Sequence, residues 1–293
     1  MSDTPFDKVT IVIVTFKSSH IINKCLDNLD IAYKKIIVEN SNDVEFTNKL
    51  EAKYKNLKCI NIGFDSGFGF AVNRAVEQVE TDYFVCMNPD SFPNNDCISL
   101  IFKTIYDTKC AIVTPITYIK NLSKEFNGYG YFCKKNKQKK IDNILKVDWV
   151  HGNVFIMKKD LFYNLGQFDE NIFLNFEETD LQKRIYDQGS EILINFNAKS
   201  SHLEGKSAEP KFSYQMKCEA AWHFAWSKFY FYKKHYNFYY SFFKSFPDFL
   251  NNFLKLLIFY FFNKRKAKIL FLSIEGFFHA VLNKPASYRA EII

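Results

Sequence analysis

The sequence has no C-x-x-C pair, no internal repeat, and no low-complexity tract beyond an aromatic bias. No apolar run approaches the ~18 residues of a membrane-crossing helix. The seven cysteines, at 25, 59, 86, 97, 110, 133 and 218, are scattered and odd in number. That spacing argues against a disulfide framework and a structural zinc site, and for a reducing compartment. The opening MSDTPFDKVTIVIV lacks the basic stretch of a signal peptide, and its apolar run is short. A cytoplasmic protein with neither a signal peptide nor a transmembrane helix is expected.

What is present is aromatic and unevenly charged. Aromatics make up 18% of the chain, with 33 Phe and 17 Tyr, and the formal net charge is +7. A hydrophobic content of 47% and a charged content of 24% belong to a globular protein. The 293 residues allow one large or two modest domains. Eleven of the 39 Lys/Arg but only three of the 32 Asp/Glu lie from Lys228 onward, leaving 28 basic and 29 acidic groups before it. A near-neutral body therefore carries a basic, aromatic tail, which points to a partner for the tail alone.

VTIVIVTF (Val9–Phe16) is a continuous β-branched run, the mark of a strand buried on both faces of a parallel sheet. A helix is expected over SSHIINKCLDNLD, capped by Ser18 or Ser19. KKIIVEN, LKCINI and DYFVCMNPD read as further strands, separated by the helical EFTNKLEAKY and by a glycine-rich turn opening a helix, GFDSGFGFAVNRAVEQV. Strands alternating with helices mean βαβ units and an α/β fold built on a mostly parallel sheet flanked by helices. Beyond Cys97 come a helix, a strand AIVTPITYI, and a lysine-rich segment CKKNKQKKIDNILK that reads as an exposed loop. Strand, helix, loop and helix follow, then the strand SEILINFNAKSSH. The expected division is a sheet-based α/β domain over 1–215 and an aromatic, basic helical region over 216–293, with Pro247 separating two of its helices.

Ligands of such sheets lie off the carboxyl ends of the strands. Four polar clusters sit at those ends: Thr15 and Phe16; Glu39 and Asn40; Asn61 with the glycine-rich turn; and Asn88 with Asp90. A nucleoside diphosphate at that edge needs a directional partner for its base, for which Glu39 or Asn40 is suited. Its phosphates need close backbone N–H groups and positive charge. Gly63, Gly67 and Gly69, the helix N-terminus after them, Asn73 and Arg74 could supply these. The same glycines also suit a plain β–α turn. Asp90 is a hard oxygen donor suited to Mg²⁺ or Mn²⁺, with His202 as a second candidate ligand, although N-P-D-S is also an ordinary turn sequence and His202 an ordinary surface group. In FLNFEETDLQKR the carboxylates Glu177, Glu178 and Asp180 open a helix beside Phe173 and Phe176. They serve either as first-turn caps or as a general base whose pKa is raised by apolar neighbours and adjacent charge.

Together these segments resemble the inverting family-2 glycosyltransferases of GT-A fold, most of all their rhamnosyltransferase-like branch. The resemblance runs from about Val9 to Ser207 and rests on six motifs in order: VTIVIVTF with VENSN, NIGFDSGFGFAVN, MNPDS, GNVFIMKK, GQFDENIFLNFEETDL and SHLEGKS. It implies nucleoside contacts at Thr15, Glu39 and Asn40, a diphosphate contact at Arg74, a metal on Asp90 and His202, and a general base at Glu178, with Glu177 the alternative. Trp149, His151 and Gly152 are the candidate acceptor contacts. Glu39 stands where the family usually has Asp, and so does Glu178. Asn88 leaves one carboxylate for the metal. The implied reaction is a single displacement with inversion. The sugar is rhamnose from dTDP-rhamnose or a UDP-linked hexose, and the acceptor is a lipid-linked saccharide of a surface polysaccharide such as O-antigen or capsule. A non-catalytic sugar-nucleotide-binding scaffold at the membrane is the alternative outside the enzyme class.

The tail from Trp222 interleaves aromatics with lysines. It admits a nucleic-acid surface, a buried helical subdomain, or interfacial helices on the inner face of the cell membrane, with aromatics at the acyl boundary and Lys/Arg on anionic headgroups. The last is the expected reading, which makes the protein a peripheral membrane one; no nucleic-acid partner is expected.

Overall fold

Every residue of the first strand, β1 (Val9–Thr15), is buried, as the unbroken Val/Ile/Thr run requires. The structure, a computed structural model, describes residues 5–94, 96–119, 124–125, 130–132, 140–203 and 205–291. After a single turn, α1 (Pro5–Lys8), the chain alternates β1, α2 (Ile22–Asp27), β2 (Lys34–Glu39), α3 (Val44–Lys53), β3 (Leu57–Asn61), α4 (Phe68–Glu77) and β4 (Tyr83–Met87). There follow β5 (Ser91–Pro93), α5 (Cys97–Thr108), β6 (Ile112–Ile119), β7 (Lys124–Glu125), β8 (Lys140–Ile141), β9 (Ile144–Val147), β10 (Val154–Lys158), α6 (Lys159–Asn164), α7 (Glu177–Asp187) and β11 (Ile192–His202). Three long helices close the chain: α8 (Ser213–His235), α9 (Phe238–Phe262) and α10 (Lys264–Val281).

The strands form one sheet in the order β3-β2-β1-β4-β10-β6-β11-β9-β8, with β5 on β11 and β7 on β6. The first four strands are parallel, as the alternating pattern predicts. Beyond β4 the sheet is mixed, because β10 runs antiparallel to both β4 and β6. The core on one face joins Ile11, Ile13, Ile37, Val85 and Met87 to Ile22, Leu26, Ile101 and Ile105.

The chain divides into two compact units. The first comprises Met1–Ser66, Phe70–Phe168 and Leu181–Glu209 and contains the whole sheet; the second comprises Gly67–Gly69, Asp169–Asp180 and Pro210–Ile293. The second has its own core of Cys218, Trp222, Trp226, Phe229, Leu272, Phe277 and Ala280. Gly276 lets α10 approach α8 closely, for a Cβ there would lie 2.2 Å from the Trp222 carbonyl oxygen.

Three local expectations are corrected. Ser18 does not cap α2 through its side chain: its Oγ accepts from the Phe16 N–H and donates to the Phe16 carbonyl, and the residue before α2 is Ile21. Within the lysine-rich segment, 140–141 and 144–147 pair as strands, while 133–139 lie outside the described residues. Pro247 sits inside α9 rather than between helices. A proline interior to a helix costs about 3 kcal/mol, and here packing against α8 and α10 carries the helix through. The chain breaks instead where asparagine caps a helix: Asn237 accepts from the Tyr240 N–H and Asn263 from the Lys266 N–H. Lys264, Arg265 and Lys266 therefore form the first turn of α10.

Candidate active site

In the first unit, parallel pairing sets strand ends side by side. Thr15 is in register with Glu39 and Glu39 with Asn61, while Met87, just before Asn88, pairs with Ile13. The predicted row of polar ends is thus brought to one sheet edge. Glu39 is fully buried. One of its oxygens accepts from the Thr15 hydroxyl at 2.5 Å, the other from the Ser41 N–H at 2.6 Å and the Ser41 hydroxyl. Burial raises its pKa, outweighing those hydrogen bonds. The methylene by which Glu exceeds Asp folds its carboxyl back onto Ser41, a partner absent from the sequence reading. Asn40 accepts from the Ser66 hydroxyl at 2.9 Å, and Asn61 donates to Thr47 at 2.9 Å. Asn73 exchanges two 3.0 Å hydrogen bonds with the Phe168 backbone and so braces the fold. Arg74 lies on α4 with Nη1 2.8 Å from Glu77 and its guanidinium 4.9 Å from the Phe70 ring centre. Both partners of that ion pair are over a third exposed. Such pairs are worth ~0–1 kcal/mol, so a phosphate could displace Glu77.

The N-P-D-S turn is built, not merely permitted. The Asn88 N–H donates to the Asn153 carbonyl at 3.0 Å, the Ser91 N–H to the Asn88 carbonyl at 3.1 Å, and the Ser91 hydroxyl to the Asn153 carbonyl at 3.2 Å. Ser91 pairs with His202 through β5 and β11. Asp90 is fully buried, with His202 Nε2 3.1 Å from Oδ1. The Ser207 hydroxyl donates to Oδ1 at 2.8 Å and the Lys206 N–H to Oδ2 at 3.2 Å. Burial alone would raise the Asp90 pKa, but His202, Ser207 and Lys206 outweigh it and hold the group below the usual carboxylate range. A buried, ionised carboxylate 3.1 Å from an imidazole nitrogen has the ligand-to-ligand spacing of one octahedral cation. The pair therefore fits Mg²⁺ or Mn²⁺ as part of its shell. Among the described residues no cluster of three or more His, Cys, Asp or Glu is arranged to hold a metal alone.

Trp149, His151 and Gly152 precede Asn153 on the same segment. The Trp149 and His151 rings lie 4.6 Å apart, and Tyr131 adds a third ring 5.4 Å from Trp149. Burial, then the charge of His202, pushes the His151 pKa down to about 4, so its ring is neutral. Asp148 fixes the Tyr131 and Phe132 backbone N–H groups at 2.9 and 3.1 Å, and Gln182 brackets the Val150 backbone.

In the second unit, Gly67 (φ +80°) meets Phe173. A Cβ at Gly67 would lie 2.3 Å from the Phe173 carbonyl oxygen, and the Phe68 N–H donates to that oxygen at 3.2 Å. The loop continues through Asn175 (φ +64°) and Phe176 (φ +72°), left-handed backbone that costs a phenylalanine ~1–3 kcal/mol. The Ser227 hydroxyl on the Leu174 carbonyl, and Phe224 and Phe231 against Phe176, hold it in place. The acids emerge directly from this strained loop. Asp180 is fully buried, with His235 Nε2 and Lys234 Nζ each 2.7 Å from its Oδ1. It anchors the first turn of α7 to the end of α8, and the general-base candidates narrow to Glu177 and Glu178. Glu177 is buried with Oε2 unpartnered, while Glu178 is half-buried. Burial first and Glu178 second push the Glu177 pKa well above the ordinary carboxylate value.

A raised folded-state pKa stabilises the fold while Glu177 is protonated, and that contribution is lost as pH rises through the folded value. Each pH unit over which wild type must resist ionising it costs ~1.4 kcal/mol. Glu177→Gln should therefore melt higher than wild type at pH 8 and lose that slope. Thermal midpoints from pH 5 to 9 check this, and parallel curves for the two proteins would contradict it.

The profile of glycosyl transferase family 2 matches residues 10–165, more than half of the chain. The chain belongs to glycosyl transferase family 2. Among curated relatives of this family-2 enzyme, rhamnosyltransferase WbbL of Escherichia coli K12 is 26% identical over 203 residues, spanning 60% of this chain and 76% of WbbL. The low-salt glycan biosynthesis hexosyltransferase Agl10 of Haloferax volcanii is 21% identical over 192 residues, spanning 61% of each chain, less than two thirds of Agl10. The mannosyltransferase PcManGT of Pyrobaculum calidifontis, solved with GDP-Man and Mn²⁺, superposes with a TM-score of 0.56 at 12% identity over 94% of this chain and 88% of its own. That likeness establishes the GT-A glycosyltransferase fold.

Proposed function

We propose that this family-2 glycosyltransferase transfers a sugar, with inversion, from a nucleotide-sugar donor to a hydroxyl of a lipid-linked saccharide at the membrane surface, in the biosynthesis of a surface polysaccharide. The observation that carries the reading is the Asp90 turn, held ionised and buried at the carboxyl edge of four parallel strands. Thr15, the Glu39–Ser41 pair and Asn40 form the nucleoside side. Arg74 exchanges Glu77 for the diphosphate. Asp90 and His202 would hold Mg²⁺ or Mn²⁺, which when bound neutralises charge on the leaving diphosphate. Glu178 takes the proton of the acceptor hydroxyl, and Glu177, biased toward its protonated form, stays out of that role. Trp149, His151 and Tyr131 offer aromatic faces to the acceptor. The likeness to rhamnosyltransferase WbbL favours rhamnose as the sugar, and that to hexosyltransferase Agl10 keeps another hexose as the second candidate; dTDP-rhamnose and a UDP-hexose are the donors to test. Purified protein with each donor and a saccharide acceptor tests this: transfer from one donor supports it, and no nucleotide release from any opposes it.

The membrane part rests on α9. Among the described residues no helix is long and apolar enough to cross a membrane. Yet Tyr239, Phe243, Phe246, Leu250, Leu254, Leu257 and Phe261 recur every three or four residues, making one face of the helix, and all are exposed, Phe243 by 74% and Phe261 by 80%. Ser241, Phe242 and Phe249 lie off this stripe and pack onto α8 and α10. The exposed stripe runs ~33 Å along the helix, more than scattered surface apolar residues account for. Lys264, Arg265 and Lys266 crowd the first turn of α10, where the helix dipole disfavours cations. Anionic headgroups beside an apolar boundary satisfy both features. Replacing Phe243, Leu254 and Phe261 together with Glu should lower co-sedimentation with vesicles containing phosphatidylglycerol by about tenfold or more, since each loses a buried aromatic or Leu contribution. Unchanged sedimentation of the folded variant would remove α9 as the anchor.

A further inference from the structure

The segment after α10 does not trail away; it is strapped along α8. Trp226 Nε1 donates to the Lys284 carbonyl at 2.8 Å, His223 Nε2 lies 2.8 Å from the Tyr288 carbonyl oxygen, and the Ala290 N–H donates to Glu219 at 3.0 Å. The Tyr288 ring stacks on Trp222 at 6.0 Å and 18°. Glu219, Trp222, His223 and Trp226 are one face of α8, and their partners run in the reverse order, so 284–290 lies antiparallel to the helix. The Trp222 backbone also receives the close approach of Gly276 of α10. Burial, then the charge of Arg289, pushes the His223 pKa down to about 4 against its bond to Tyr288, which makes its Nε2 a neutral donor to that carbonyl.

From this strap Arg289 reaches a different element. Its Nη1 donates to the Ala286 and Tyr288 carbonyls at 2.9 and 2.7 Å, and its guanidinium carbon sits 3.4 Å from the centre of the Phe173 ring. His223 flanks the same ring at 4.5 Å. Phe173 in turn receives the Phe68 N–H and the close approach of Gly67, and begins the loop whose left-handed residues 175 and 176 lead directly into Glu177 and Glu178. Phe173 therefore connects the strap, through its ring, to the glycine-rich turn and, along the chain, to the acid pair.

We infer that Arg289 is a positioning residue for the transferase reaction: by clamping the Phe173 ring it fixes the Gly67–Gly69 turn and the loop that presents Glu177 and Glu178. This rests on the proposed roles of that turn and those acids. The clamp is a cation over an aromatic face, so its removal should loosen what the ring holds while leaving the packed core of α8 and α10 intact.

The test uses the full chain and two readouts on Arg289→Ala, Arg289→Lys and Tyr288→Ala. Hydrogen exchange over 66–70 and 170–178 should speed about fivefold or more in R289A and in Y288A, with the rest of the chain at wild-type rates. R289K, which keeps a cation over the ring, should stay nearer wild type. In the transfer assay R289A should lower kcat about tenfold or raise donor KM to a similar extent, with R289K restoring most of the loss. Wild-type exchange in both segments of R289A, or faster exchange spread uniformly over the protein with a lower melting point, overturns the inference. If wild type turns over no nucleotide sugar, the transferase reading fails, and the exchange result still decides whether Arg289 clamps the loop.

Discussion

Asp90→Asn should lower sugar transfer by about two to three orders of magnitude, the loss expected when a preorganised charge at a leaving group is removed. The reason lies in how the carboxylate is kept. It is fully buried, yet His202, Ser207 and the Lys206 N–H hold it ionised against the penalty of burial. Asparagine has nearly the same shape but no charge, and its amide N–H₂ turns a donor toward groups that are themselves donors. Some destabilisation follows, about 1–3 kcal/mol for a buried polar group left without its partner, so circular dichroism and a melting curve accompany the assay. A folded Asp90→Asn enzyme with turnover within a fewfold of wild type would place the diphosphate elsewhere. Ser207→Ala is the milder companion, removing one donor and leaving the carboxylate.

Glu178→Gln should lower kcat about a hundredfold or more, the contribution of a positioned general base, while the donor nucleotide still binds. The half-buried Glu178 and the buried Glu177 are neighbours with different environments, and burial biases Glu177 toward the protonated form. In the mechanism proposed above, Glu178 is the base and Glu177 its supporting neighbour. The matched variant Glu177→Gln should therefore keep much of the activity that Glu178→Gln loses. The reverse pattern, an inert Glu177→Gln beside an active Glu178→Gln, exchanges the two roles. Asp180, held by His235 and Lys234, enters neither; its loss should appear in stability before chemistry.

What could be read from the chain follows from the range of the interactions. The first four strands are legible because runs such as VTIVIV need no distant partner to declare themselves buried, and their parallel alternation fixes where the polar ends Thr15, Glu39, Asn61 and Asn88 meet. Asp90 and His202 are legible as a pair only through the motif resemblance, since 112 residues separate them. The hydroxyl of Ser207 and the N–H of Lys206 on Asp90 belong to the same quoted motif SHLEGKS, and spacing gives no means of assigning them a role. Pro247 misleads because helix propensity is local, while the packing that carries α9 through it comes from α8 and α10. Asn237 and Asn263, which do break the chain, carry an ordinary cap signal that the proline overshadows. Arg289 lies beyond the reach of pattern altogether: an arginine in a short polar segment becomes informative only when Phe173 is found beneath it.

We propose that this chain cleaves a nucleotide-sugar bond with the help of the carboxylate at position 90. The most direct measurement is the release of nucleoside diphosphate from dTDP-rhamnose and from UDP-hexoses, with Mn²⁺ or Mg²⁺, by wild type and by Asp90→Asn side by side. Wild type should release nucleotide from at least one donor, and the variant should release it only at background. Equal rates for the two proteins across every donor would contradict the proposal.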